Sequence, residues 1–148
     1  MPPPSPLPTH LYKILPTAPP SPSPSLLPSS LPLSPLDLSS NYIHLSTAHQ
    51  VPHVLSRFFP STPHIWLLVL RYADLADRGL DGEGKEGQGT LKWEEGEPGE
   101  WFPHYYGASL GKGNVLEVKE VVMRQKDNGE GEGGWEETFK GEEVKLEW

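Results

Sequence analysis

The chain has 148 residues, a length that favours one domain. Hydrophobic residues reach only 35 %, while 18 residues are proline, so part of the chain cannot be packed core. The absence of cysteine excludes disulfide scaffolds, thiolate zinc sites and cysteine nucleophiles. The net charge of −8 argues against a nucleic-acid backbone as partner. The longest apolar run, Ile65–Leu70, is far too short to cross a membrane as a helix.

Composition divides the chain. Thirteen prolines lie in residues 1–36, and every glycine lies at or after Gly79. Residues 1–70 carry a formal charge of +1 and residues 71–148 one of −9. The organisation read from this is a disordered Pro-rich tail (1–9), an α+β domain (10–126) and an acidic Gly-rich tail (127–148). The domain contains a Pro/Ser-rich loop (16–36) and a Gly-rich loop (73–89). The first 40 residues hold one basic side chain, Lys13, and no leader-like apolar stretch, so a cytoplasmic location is expected.

In chain order, residues 1–9 sample polyproline II, because proline fixes φ and lacks a donor. His10–Leu15 reads as a strand between prolines. Residues 16–36 read as surface loop, with a helical turn near Leu36-Asp37-Leu38. Asn41–Leu45 is a short β-favouring run. Thr47-Ala48-His49-Gln50 matches a capping box, predicting a helix from Thr47 to about Phe59. Its apolar face is Val51, Val54, Leu55 and Phe58, and Pro52 at the fifth position should kink it. Ile65–Tyr72 reads as an interior strand buried on both faces. Thr90–Glu94 is a further strand, Trp101–Gly107 a dense aromatic segment, and Val115–Met123 a strand with Glu117, Lys119 and Val121 on its wetter face. Residues 138–148 are assigned as an edge strand. The fold class is thus α+β, with five to six strands and one or two helices.

Three side chains stand out chemically. His44 interrupts an apolar strand between Ile43 and Leu45. It either holds a ligand or proton on a cleft face, or is a core histidine with an internal partner. Glu94 ends a strand after Trp93, with Glu95 and Glu100 as alternates; it is either a site acid or a solvated one. His104 follows Pro103 on a stiff backbone, which suits a site and equally a packed turn. Ser46 and Thr47 read as helix-capping residues, and a capped helix start also suits an anion. His49 and His53 have helical spacing for two metal ligands, but Pro52 and the missing glutamate argue against zinc, and no metal is expected.

Three segments in order, Tyr42-Ile43-His44-Leu45-Ser46-Thr47-Ala48-His49-Gln50, Leu91-Lys92-Trp93-Glu94 and Gly99–Gly107, resemble the domain-of-unknown-function family 952. Leu11-Tyr12-Lys13-Ile14 resembles that family's opening strand, and Arg57-Phe58-Phe59 the end of its first long helix. The chain departs from the pattern at residues 16–35, where the family carries a Trp-containing helix, and at Ser40-Asn41 in place of Asp-Gly.

The resemblance implies a fold like that of ADP-ribosyltransferases and RNA 2′-phosphotransferases, which bind NAD-like ligands between two small sheets. It implies catalytic roles for His44, Glu94 and His104. It also implies ligand contacts from Tyr12, Lys13, His44, Ser46, Thr47, Trp93 and Tyr106, with Trp93 or Tyr106 as stacking platform. The expected partner is a small-molecule or nucleotide-like ligand, bound by a monomer and used in glycosyl or ADP-ribosyl-type transfer. Two alternatives remain: a non-catalytic binding module, and an interaction protein using its Pro-rich and acidic flanks.

Overall fold

The computed structural model describes residues 4, 6–76, 89–124, 134–140 and 144–148. It contains six strands in two three-stranded antiparallel sheets with short helices around them. Sheet A has the order β1–β3–β6, formed by His10–Leu15, His64–Arg71 and Val115–Val122. Sheet B has the order β2–β5–β4, formed by Ile43–His44, Glu100–Tyr106 and Thr90–Glu97. The aromatic segment supplies β5, the centre of sheet B, and Gly99 takes the left-handed turn (φ 83°) that folds β4 back onto it.

The run Ile65–Leu70 is apolar on both faces because β3 is the middle strand of a sheet covered on both sides. Leu68 and Leu70 face sheet B, joining Leu11, Ile43, Leu45, Tyr105 and Val115 in the core between the sheets. Ile65, Leu67 and Val69 face the helical layer, joining Tyr12, Val51, Leu55, Val121 and Trp135. Trp66 is only half-buried and stacks on His64, with ring centroids 4.2 Å apart. On β6 Val115 and Val121 are buried, whereas Leu116 and Val122 are exposed.

Helix α2 spans Val51–Phe58 with Gln50 at its N-cap, so it begins later than the capping box predicts. The glutamine half of that motif does form: the Thr47 N–H donates to Gln50 Oε1 at 3.0 Å. The later start places Pro52 in the first turn, where a missing N–H costs nothing. Phe58 is exposed and half-buried Phe59 packs instead.

The Pro/Ser-rich loop is not a loose excursion. Leu27 and Leu31 are buried in the inter-sheet core, and the Leu31 N–H donates to the Leu110 carbonyl at 2.8 Å. The helical turn read at Leu36–Leu38 is α1, Pro35–Ser40. The Ser34 hydroxyl accepts from the Asp37 N–H, and Asn41 closes the helix in the left-handed region at φ 65°. Helix α3, Tyr72–Ala76, opens the predicted Gly-rich loop, whose residues 77–88 lie outside the described residues.

The predicted edge strand over 138–148 is corrected. Residues 138–140 belong to helix α4, Trp135–Lys140, and 144–148 form no strand, with Val144 and Leu146 packed against the outer cluster of sheet A. Trp135 is buried and donates its indole N–H to the Phe59 carbonyl at 2.9 Å, so helix forms where burying an indole outweighs strand pairing. Of the Pro-rich and acidic tails, residues 1–3, 5, 127–133 and 141–143 lie outside the described residues.

Candidate functional site

The outer face of sheet B carries the polar cluster. Strand alternation sends Tyr105 into the inter-sheet core and leaves His104 and Tyr106 on the opposite face. Register then aligns His44, His104 and Lys92 across three strands. The His44 backbone faces away from β5. Its N–H donates to Asp37 Oδ1 at 3.1 Å, and its carbonyl accepts from Lys13 Nζ at 3.3 Å. His44 and His104 are therefore a non-hydrogen-bonded cross-strand pair, the kind that brings side chains closest.

Each imidazole is held by a carboxylate. His44 Nδ1 lies 2.7 Å from Asp37 Oδ1, and Lys13 Nζ donates to Asp37 Oδ2 at 2.6 Å. Asp37 is 1 % exposed and Lys13 is also buried. Burial alone would raise the Asp37 pKa, but the hydrogen bonds from His44 and Lys13 outweigh it and bring the carboxyl down to about 2. His104 Nδ1 lies 2.9 Å from Glu94 Oε1, which also accepts from the Tyr106 hydroxyl at 2.5 Å. The Tyr106 bond holds the Glu94 carboxyl below its ordinary range. The same bond pushes the Tyr106 phenol up to about 12. Burial lowers the pKa of His104, which keeps the ring neutral. Both carboxylates are thus ionised acceptors, and each histidine presents Nδ1–H to its acid.

Tyr42, set just after the left-handed Asn41, covers the pair. Its ring stacks on His104 at 4.2 Å and lies 4.6 Å from His44 and 5.0 Å from Tyr106. Lys92 sits over the Tyr106 ring at 4.8 Å. His44 and Glu94 remain partly exposed, with side chains 30 % and 40 % accessible. Two cavities adjoin or lie apart from this face. One of about 20 Å³ is behind Lys13 and Asp37, and one of about 160 Å³ is beside His10, Tyr12 and Glu117 on sheet A. The cluster is an open face rather than a closed pocket.

Of the residues expected from sequence, the structure brings together His44, Glu94, His104, Tyr106 and Lys13. It does not bring in the others. Tyr12 points to the far side of sheet A, where its hydroxyl donates to the Glu147 carbonyl at 2.7 Å. Trp93 faces the inter-sheet core and donates to the Tyr72 hydroxyl at 3.2 Å, so it is no stacking platform on this face. Ser46 is buried and paired through its backbone with Tyr12, joining the end of β2 to sheet A. Thr47 is buried at the turn into α2. Of the alternates, Glu95 accepts from the Gly99 N–H in the hairpin turn and Glu100 from Gln50 Nε2. His49 stacks on Trp148, and His53 lies 3.9 Å from Glu97.

Sequence reading missed Asp37 and Tyr42. Asp37 is the only acid in the first 70 residues, alone among leucines and serines, and that isolation was the available signal. Tyr42 differs from the core tyrosines by nothing but its place two residues before a strand histidine.

No curated protein matches the chain. Two solved structures share the fold. The crystal structure of protein CC0527 from Caulobacter crescentus has 24 % identity and a TM-score of 0.56, covering 80 % of this chain and 89 % of that one. A double mutant of the same Caulobacter protein gives 25 % identity and a TM-score of 0.54, with the same coverage. A family model described as "Protein of unknown function (DUF952)" matches residues 28–120. That span holds Asp37, Tyr42, His44, Glu94, His104 and Tyr106, and by this match the chain belongs to the DUF952 family.

Proposed function

We propose that the outer face of sheet B binds a nucleotide-like small molecule, of the NAD or ADP-ribose type, in a fold related to the ADP-ribosyltransferases, and supports glycosyl-type group transfer on it. The observation that carries this reading is the convergence of two carboxylate-held imidazoles and two tyrosine rings on one solvent-facing sheet surface. A few directed polar groups beside flat apolar ones are what small-molecule sites present.

In this reading His44, oriented by Asp37, accepts a ligand hydroxyl. Glu94, held ionised, faces positive charge developing at a sugar carbon as its bond to the leaving group lengthens. Tyr42 and Tyr106 supply stacking, which suits a chain too acidic to hold phosphates by charge alone. The test is a thermal-shift screen with NAD, ADP-ribose and mononucleotides. A ligand at 100 times its Kd stabilises by about 2.7 kcal/mol. A shift that His44→Ala abolishes supports the reading; no shift with any of these ligands ends it. A shift without turnover leaves the non-catalytic module.

A further inference from the structure

The histidine pair has a geometry that the ligand reading does not use. Asp37 lies beyond the outer edge of β2, and Glu94 lies on β4 across β5. The two Nδ1 atoms are therefore drawn to opposite sides of the pair. An imidazole with Nδ1 turned outward turns its Cδ2–Nε2 edge inward. The two inward edges face each other across strands whose paired Cα atoms are about 4.5 Å apart in such a register. The ring centroids are 5.3 Å apart with planes inclined at 62°. Among the described residues neither Nε2 has a hydrogen-bond partner, and neither is left buried without one.

We infer that His44 and His104 form a two-imidazole site for a divalent transition metal, with Asp37 and Glu94 as the carboxylates that orient them. Ligand histidines in metal sites characteristically give their second N–H to a carboxylate, and both rings do so here. A neutral imidazole is the ligating form, and imidazole favours zinc, copper and nickel. The Tyr42 stack does not obstruct binding, because it covers the face of the His104 ring while a metal bonds in the ring plane. Lys13 is engaged with Asp37, and Lys92 lies over Tyr106. Among the described residues no three His, Asp or Glu side chains are placed to hold one ion, so the protein supplies two donors and water or substrate supplies the rest. This site shares a face with the proposed nucleotide site but does not rest on it.

The test titrates the chelator-stripped full chain with Zn²⁺ against a chromophoric chelator, and follows Cu²⁺ by electron paramagnetic resonance. The expected result is one Zn²⁺ per chain and nitrogen hyperfine structure from two equatorial imidazoles. His44→Gln weakens Zn²⁺ binding by at least about tenfold, and Glu94→Gln by about 10–100-fold through lost orientation of His104. His49→Gln and His53→Gln leave it unchanged. In the unmutated protein, substoichiometric Cu²⁺ broadens the His44 and His104 ring resonances first, a readout that needs no variant to fold. No Zn²⁺ binding, binding insensitive to His44→Gln, or broadening of His49 and His53 instead overturns the inference. Repeating the NAD and ADP-ribose thermal shifts with EDTA separates the two ideas. A shift that survives EDTA, without Zn²⁺ binding, removes the metal and leaves the nucleotide site standing.

Discussion

Sheet A and sheet B have the same strand count and are held in different ways. Sheet A is covered on both faces, and its stability comes from apolar volume: Leu67 and Leu68 on β3 are 0 % and 1 % exposed, on opposite faces. Sheet B has one apolar face and one polar face, on which carboxylates, imidazoles and phenols satisfy one another. One sheet is a structural floor and the other presents a polar surface. Both faces of sheet A are buried, so only the sheet with an uncovered face can carry polar groups at low cost.

The largest expected effect lies where the two regimes meet. Asp37→Asn leaves Lys13 buried without its counter-charge, and should cost about 3–5 kcal/mol in urea unfolding. A loss under about 1 kcal/mol would mean that Lys13 reaches water easily and that the pair is superficial. Leu67→Ala in β3 should cost about 2–5 kcal/mol, by transfer plus cavity. Equal sensitivity at the exposed Val122 would contradict the two-sided cover of sheet A.

Acid should separate the sheets next. The folded Asp37 carboxyl is lowered from 3.8 to about 2, so its stabilisation is present above pH 4 and is lost as pH falls towards 2. The difference is worth about 2 kcal/mol. The His104 pKa is lowered from 6.5, so an additional loss begins below that pH as the unfolded chain takes up the proton first. Amide protection factors should accordingly fall in β2 and β5 before β3 as pH drops. The opposite order would dissociate these groups from sheet B. The smallest effect is expected at His44, whose ring is 30 % exposed and whose acid keeps Lys13. His44→Ala should change stability by less than about 1 kcal/mol while removing ligand binding.

Sheet A was the more legible of the two from sequence. Its middle strand is a continuous apolar run, which few other environments accept, and its helical cover shows a period of 3.6 at Val51 and Leu55. The strand nature of β5 was obscured by its aromatic density, and Trp93 misled because alternation alone does not say which face is the core. The polar face depends on register. Nothing local in Glu94, His104 and Tyr106 states that β4 and β5 pair so that one carboxylate reaches two donors. Asp37 is harder still, since a one-turn helix inside a proline-rich stretch delivers it 24 positions from Lys13 along the chain.

The burial of Trp135 bears on how the chain is made. The inter-sheet core draws on residues up to Val118, so sheet B and its contact with sheet A can close once that stretch leaves the ribosome. The other face of sheet A, with Tyr12, Ile65, Leu67 and Val121, lacks its largest side chain until residue 135 has emerged. During synthesis that apolar face is covered by α2 alone, and sticky surface of this kind is where nascent chains associate wrongly. A chain stalled or cleaved before Trp135 should therefore keep its polar sheet and aggregate through the other one.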